Sequence, residues 1–286
     1  MDKILMLLSS LFYALGTYYA RIVVINTGMS AVITSYVRFI IGAVVLGGYL
    51  IYKKQSFKPK NPKTLLLRIS LNFTSILVST ASLNFTTITN ANLLNMIYPV
   101  LIVLLAPLVT KEEIKKSTYI YLTLVMIGAY LITNPSFSNI NVGDILAFTS
   151  AILTTFSIFA LKNAIKYDDA NLIVFYNMVF GLVFNLPVAY KDLANFDMAW
   201  LLPVILSAIA GLLGMLTQTW SYKTLDSATG SLISTSRIII SAIIGYLFLT
   251  EPLDAKIITG IILVSIALIG VSGYFQRYYY REKEEQ

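Results

Sequence analysis

The 286 residues contain no cysteine and no histidine. Disulfides, thiolate and imidazole metal ligands, cysteine nucleophiles and Ser-His-Asp relays are therefore excluded. Charge is scarce as well. Asp, Glu, Lys and Arg make up 12% of the chain, about half of the roughly 25% usual for a soluble domain. The 14 acids fall at the ends of apolar runs, between them or in the tails, and none falls in the middle of a run. Proton relays and sodium sites commonly use a carboxylate at depth, so facilitated transport or exchange is expected over tight ion coupling. An intramembrane enzyme is disfavoured on the same grounds, with no base, nucleophile or metal ligand inside a run. No cofactor and no metal are expected.

What is abundant is apolar surface: 57% of the residues are hydrophobic and the mean hydropathy is +0.76. A helix crosses a bilayer with about 20 mostly apolar residues. Such runs occur near 4–24, 31–52, 65–85, 90–109, 117–134, 143–162, 171–190, 199–221, 229–249 and 256–275. The stretch from Ile69 to Thr110 carries no charge and is long enough for two of them. Met1-Asp2-Lys3 opens a run that continues the pattern and lacks a small-residue cleavage site, so it reads as a first span and not a leader. The fold class is all-α integral membrane, with ten spans.

The net charge of +7 does not point to nucleic acid, because the basic residues lie in short segments between the runs. With the N-terminus inside, the outer segments hold only Arg21, Lys191 and Lys256 among the 21 lysines and arginines. Arg38 and Arg237 fall within spans, and all the others, Arg68 included, are assigned to the inner segments. This asymmetry predicts N- and C-termini in the cytoplasm, in the cytoplasmic membrane of a prokaryote. The tail Gln276–Gln286, with Tyr278-Tyr279-Tyr280, reads as an interfacial anchor and a solvated end.

The chain repeats itself. Ser9-Ser10-Leu11 through Arg21 is echoed by Ser150-Ala151-Ile152 through Lys162. Leu83-Asn84-Phe85-Thr86-Thr87-Ile88, leading to Ala91, is echoed by Trp220-Ser221-Tyr222-Lys223-Thr224-Leu225, leading to Ala228. Each is followed by an apolar span ending in a threonine-acid turn, Thr110-Lys111-Glu112-Glu113 and Thr250-Glu251-Pro252. The division falls near Asn134–Asn141, giving a first repeat over 1–137 and a second over 138–286. Five spans per half is an odd number, so the second half is expected to insert inverted, a recurring transporter architecture.

Asn90-Ala91-Asn92-Leu93-Leu94, Ile97-Tyr98-Pro99-Val100 and Glu112-Glu113, with Ala228 and Phe248-Leu249-Thr250-Glu251-Pro252-Leu253, resemble the fourth and ninth helices of EamA-like proteins in the drug/metabolite transporter superfamily. The resemblance runs over nearly the whole chain in order and spacing. It departs at Ile238, where the counterpart of Pro99 is often proline, and at Tyr13, where many members carry tryptophan. It implies alternating access and a central cavity lined chiefly by spans 1, 3, 4, 6, 8 and 9. It does not fix the solute.

Arg237, near the centre of span nine, is the leading site candidate. A charge there is costly and tends to mark a solute path, and the guanidinium fork matches a carboxylate or phosphate. The alternative is that it bonds backbone carbonyls or snorkels to an interface. Arg38, in the outer half of span two, reads as a snorkelling structural residue. Asn92, Asn95 and Tyr98, at steps of three, are expected on one helix face, lining the cavity or joining helices. Ser234 lies one turn from Arg237, and Gln218 lies a turn beyond Gly214. Tyr13 faces the cavity if it replaces the family tryptophan, and Trp220 either lines the site or belongs to the aromatic belt. Asn72, Ser75, Ser79 and Ser82 give span three a polar stripe.

The function expected is transport of a small metabolite, an amino acid or other carboxylate-bearing solute, by alternating access. The competing expectation is export of lipophilic or quaternary-ammonium compounds held by aromatic rings. The expected partners are the solute and the lipid bilayer, without nucleic acid, and the chain is expected to act as a monomer or homodimer.

Overall fold

The computed structural model describes residues 2–28, 32–82, 85–86, 88–135, 140–194, 196–250 and 252–273. The repeat positions Leu83, Asn84, Thr87 and Glu251 and the tail Gln276–Gln286 lie outside them. The described residues form twelve α-helices and no strand: α1 (Asp2–Thr27), α2 (Val32–Tyr52), α3 (Pro62–Ser82), α4 (Ile88–Asn95), α5 (Tyr98–Val109), α6 (Lys116–Thr133), α7 (Val142–Ala164), α8 (Ala170–Ala194), α9 (Leu201–Ser221), α10 (Ser227–Ser234), α11 (Ser236–Leu249) and α12 (Ala255–Ser272). Among the described residues, ten helical stretches are long and apolar enough to cross a membrane. They match the ten expected spans to within a few residues. Their outer faces leave Val44, Ile51, Leu108, Tyr130, Leu202 and Leu247 exposed, as lipid requires and water would not tolerate.

The fourth and ninth spans are each two helices, where continuous ones were expected. In the fourth, Pro99 lacks an amide hydrogen and its ring crowds the carbonyl four residues back, which belongs to Asn95, the last residue of α4. In the ninth there is no proline. The Ser231, Ser234 and Thr235 hydroxyls instead donate to the carbonyls of Ala228, Ser231 and Leu232 at 2.9, 2.7 and 2.6 Å. Hydroxyls bonded back onto the preceding turn compete with the amide ladder and bend helices. Beyond them Ile238 N–H donates to Thr235 O at 2.9 Å, a three-residue step that closes the corner.

Sidedness is set by the ends. Ser221 Oγ donates to Asp2 O, Lys3 Nζ to Val271 O and Ser272 O, and the amides of Lys60 and Asn61 to the Asp168 carboxylate. Lys162 at the end of α7 donates to Tyr222 O and Leu225 O after α9, so the start of α1, the segments after α2, α7 and α9, and the described end of α12 share one face, here the basic face. Between helices the contacts are close and small-sided. A Cβ on Gly16 of α1 would stand 3.3 Å from Gly211 N and Ser207 O of α9, and Ser207 Oγ donates to Gly16 O at 2.7 Å. The equivalent seam between α3 and α7 carries reciprocal bonds, Ser75 Oγ to Ser150 O and Ser150 Oγ to Ser75 O, at 3.0 and 3.1 Å. Gly128 of α6 and Gly260 of α12 meet backbone to backbone, a Cβ on either standing 2.7 or 2.6 Å from the other's carbonyl.

Candidate functional site

The site is built on one face of α9. Gly214 leaves room for the Tyr13 ring of α1, whose atoms begin 3.0 Å from where a Cβ would stand. Four residues on, Gln218 Oε1 accepts the Tyr13 hydroxyl at 3.2 Å, which fixes the direction of the ring. From the first turn of α11, the Arg237 guanidinium carbon stands 5.7 Å from the centre of the same ring, within cation–π range. Arg237 lies eleven residues into its span, about 15 Å from the basic face at 1.5 Å per residue, close to mid-bilayer. It is half-buried, and among the described residues no acid forms an ion pair with it. The α11 amide end adds a positive partial charge beside it.

Next to this group, Tyr98 at the start of α5 shares a hydroxyl–hydroxyl bond of 2.5 Å with Ser234 at the end of α10, and Ser10 Oγ donates to Ser234 O at 3.3 Å. The corners of both broken spans are thus tied together and to α1. Tyr13, Gln218 and Arg237 form one group, and Tyr98 and Ser234 form a second, each joined to α1, at Tyr13 and at Ser10.

The other candidates lie apart from them. Asn92, Asn95 and Tyr98 do not come together at the site, since each has different surroundings. Asn95 Nδ2 donates to Ser150 Oγ on α7 at 2.9 Å, joining the Ser75–Ser150–Thr154 hydroxyl cluster, while Asn92 is exposed. Of the polar stripe on α3, Asn72 meets Asn177 of α8 at 3.4 Å. Trp220 turns away from Tyr13, and its Nε1–H donates to Asn171 Oδ1 at 3.1 Å in an exposed position towards the basic face. A residue two beyond Gln218 is rotated by about 200° around a helix, so the two cannot face the same space.

Two arginines stand elsewhere than the sequence reading placed them. Arg38 does not snorkel outward. It lies against α9, where a Cβ on Gly211 would meet its Cδ at 2.7 Å and Nη1 at 2.9 Å. Arg68 is not in an inner segment but buried in α3, 4% exposed, with Nη1 donating to Ser157 Oγ and, at 3.2 Å, to Ser157 O. Its signal was its position within the expected span 65–85. The Tyr13 phenol is within electrostatic reach of Arg38, Arg237 and Arg68 together. Of the three guanidiniums, Arg237 is the one over the ring, at 5.7 Å, and among the described residues no acid pairs with it.

Below the group, on the basic face, helix ends are bonded to one another. Glu112, beyond α5, accepts Ser227 N–H and Ser227 Oγ–H at 2.9 Å, where a carboxylate favours a helix start. Lys162 Nζ donates to Tyr222 O and Leu225 O at 3.0 and 2.6 Å, and the buried Tyr222 ring packs under Gly230. A cleft of about 270 Å³ opens on this face between α6, α10 and α12, lined by Lys115, Thr118, Tyr121 and Thr229. It touches none of the central group.

The EamA-like transporter family model matches residues 3–134 and again 141–273. The chain belongs to the EamA-like transporter family. This family member is 25% identical over 224 residues to an uncharacterized transporter of Helicobacter pylori, covering 74% of each chain. It is also 25% identical over 187 residues to the pseudopaline exporter CntI of Pseudomonas aeruginosa, covering 64% of this chain and 65% of the exporter. A solved crystal structure 14% identical superposes with a TM-score of 0.77, covering 97% of this chain and 98% of the other. The chain is therefore a multi-pass membrane transporter of the drug/metabolite type.

Proposed function

We propose that this transporter carries a small carboxylate-bearing solute and binds the carboxylate at Arg237, over the Tyr13 ring. The observation that carries the reading is the Arg237 guanidinium, mid-membrane, without an acidic partner among the described residues, at the amide end of a broken helix. A buried charge left without a counter-ion is costly, and a bound carboxylate removes that cost through a charge-assisted fork. Half-helix ends aimed at anionic groups serve the same purpose in other transporters.

The halves 1–137 and 138–286 act as inverted repeats that rock about this group, and the basic face is cytoplasmic. The Glu112–Ser227 and Lys162–Leu225 bonds hold the inner side closed, so release inward requires them to break. Lipophilic or quaternary cations fit less well: Tyr13 and Tyr98 gather at the centre, but Trp220 does not complete a cage, and three arginines repel a cation.

The reading is tested with the purified protein in lipid nanodiscs by thermal shift against millimolar panels of carboxylates and quaternary amines. A ligand present at about 100 times its dissociation constant adds about 2.7 kcal/mol of stability. Carboxylates are expected to raise the melting temperature, and Arg237→Ala to abolish the rise. A rise with quaternary amines alone sinks the proposal. Proteoliposome uptake that collapses when proton and sodium gradients are removed sinks the facilitated mechanism.

A further inference from the structure

The reading above leaves two arginines within the spans unused, Arg38 and Arg68, and Arg38 is the one placed beside the Tyr13 ring on α9. It enters from α2 and crosses α9 at Gly211, where a side chain would leave it no room. Its Nε is buried and has no hydrogen-bond partner among the described residues, and its guanidinium carbon is 5.3 Å from the Phe39 ring. Gly211, Gly214 and Gln218 are spaced three and four residues apart, so they share a face of α9. Along that face lie in turn Arg38, the Tyr13 ring and the acceptor of the Tyr13 hydroxyl, with Arg237 over the ring from α11. Two arginines thus flank one tyrosine.

A single carboxylate satisfies only one of them. The other would remain a desolvated cation with an open donor, repelled by its neighbour. We infer that Arg38 and Arg237 form a two-point anion site across Tyr13, so that the solute is a small dicarboxylate, one acidic group at each arginine. This rests on the carboxylate reading and narrows it. Arg68 also has a buried Nε without a partner among the described residues, but Ser157 already takes up its Nη1, and no ring contact or glycine places it beside Tyr13, so it is the weaker claimant for the second group.

The test measures equilibrium binding in nanodiscs at low salt for the straight-chain dicarboxylates from malonate to pimelate, each against the monocarboxylate of equal chain length. At least one dicarboxylate is expected to bind about tenfold tighter or more than its match, given the strength of a charge-assisted pair. Arg38→Gln should bring that ratio to within about twofold. Gly211→Ala should also shrink the ratio, since its new methyl meets the flexible Arg38 side chain and not backbone. It serves if Arg38→Gln does not fold. Arg38→Lys, which keeps the charge and loses the fork, should retain part of the preference.

If dicarboxylates and monocarboxylates bind the unmodified protein equally, the second arginine is not part of the site and the single-carboxylate reading stands. A ratio that survives Arg38→Gln and Gly211→Ala likewise overturns the inference. If no carboxylate binds while tetraethylammonium does, both readings fall together.

Discussion

The fourth and ninth spans interrupt themselves at matching places by different chemistry. In the fourth, a proline removes an amide and displaces a carbonyl, so the break is covalent and permanent. In the ninth, three hydroxyls bond back onto the previous turn, a break that rests on hydrogen bonds and a tight corner at Thr235. The fourth places a neutral pair, Asn95 and Tyr98, beside its corner. The ninth places Arg237. One break supplies scaffold and the other supplies charge, and the Tyr98–Ser234 bond joins them.

This contrast can be broken in several ways. Arg237→Gln should weaken carboxylate binding about 10- to 100-fold, the equivalent of a charged hydrogen bond of about 1.5–3 kcal/mol. Tyr98→Phe, at the neutral corner, should change it less than about fivefold, since it removes one neutral bond. Equal losses in the binding isotherms would mean both corners hold the solute. Glu112→Ala removes the carboxylate from the α10 start and should cost about 0.5–2 kcal/mol, read as a lower melting temperature and as faster labelling of a cysteine introduced on the inner side.

Ile238→Pro would give the ninth span the proline that the fourth has. It deletes the amide that bonds Thr235 O, so the expected loss is about 0.5–1.5 kcal/mol. The figure of about 3 kcal/mol for proline in a helix interior does not apply, because a helix already starts at Ser236. Chemical denaturation giving the larger value would show that the hydroxyl-made corner depends on that bond. The smallest effect is expected for Trp220→Phe, which removes one exposed bond to Asn171 and should leave solute affinity within about twofold.

The spans were legible in the sequence because a 20-residue apolar run has a single reading in a bilayer, and the proline in the fourth was visible at Pro99. The corner in the ninth was not. Serines at helical spacing look the same whether they pack against a neighbour or bond back to their own helix. Tyr13, Gln218, Ser234, Tyr98 and Arg237 were identifiable as polar groups at depth, but their meeting depends on the contact of α1 with α9 and of α5 with α10, which no local pattern encodes. Arg38 was misplaced for the same reason. Whether a long side chain turns towards lipid headgroups or across a neighbouring helix is decided by a glycine on that neighbour, Gly211. Asn92 and Trp220 share a lesson, since a polar or aromatic residue near a site in sequence is separated from it by a fraction of a helical turn.

The bare contact between Gly128 and Gly260 bears on how such a molecule moves. Packed helices usually resist relative motion because side chains of one are seated between those of the other, and each must climb out to advance. Where α6 and α12 cross, the two backbones touch at the glycines, and the Val264 and Ile132 side chains flank that touch, standing 2.6 and 2.7 Å from where a Cβ on Gly128 and on Gly260 would be. In the proposed rocking of the halves this crossing, one helix from each, is a pivot at which only those two side chains need reseat. A methyl added at either glycine would push that pivot apart and should slow turnover while leaving solute affinity alone, a separation that paired binding and flux measurements on Gly128→Ala would resolve.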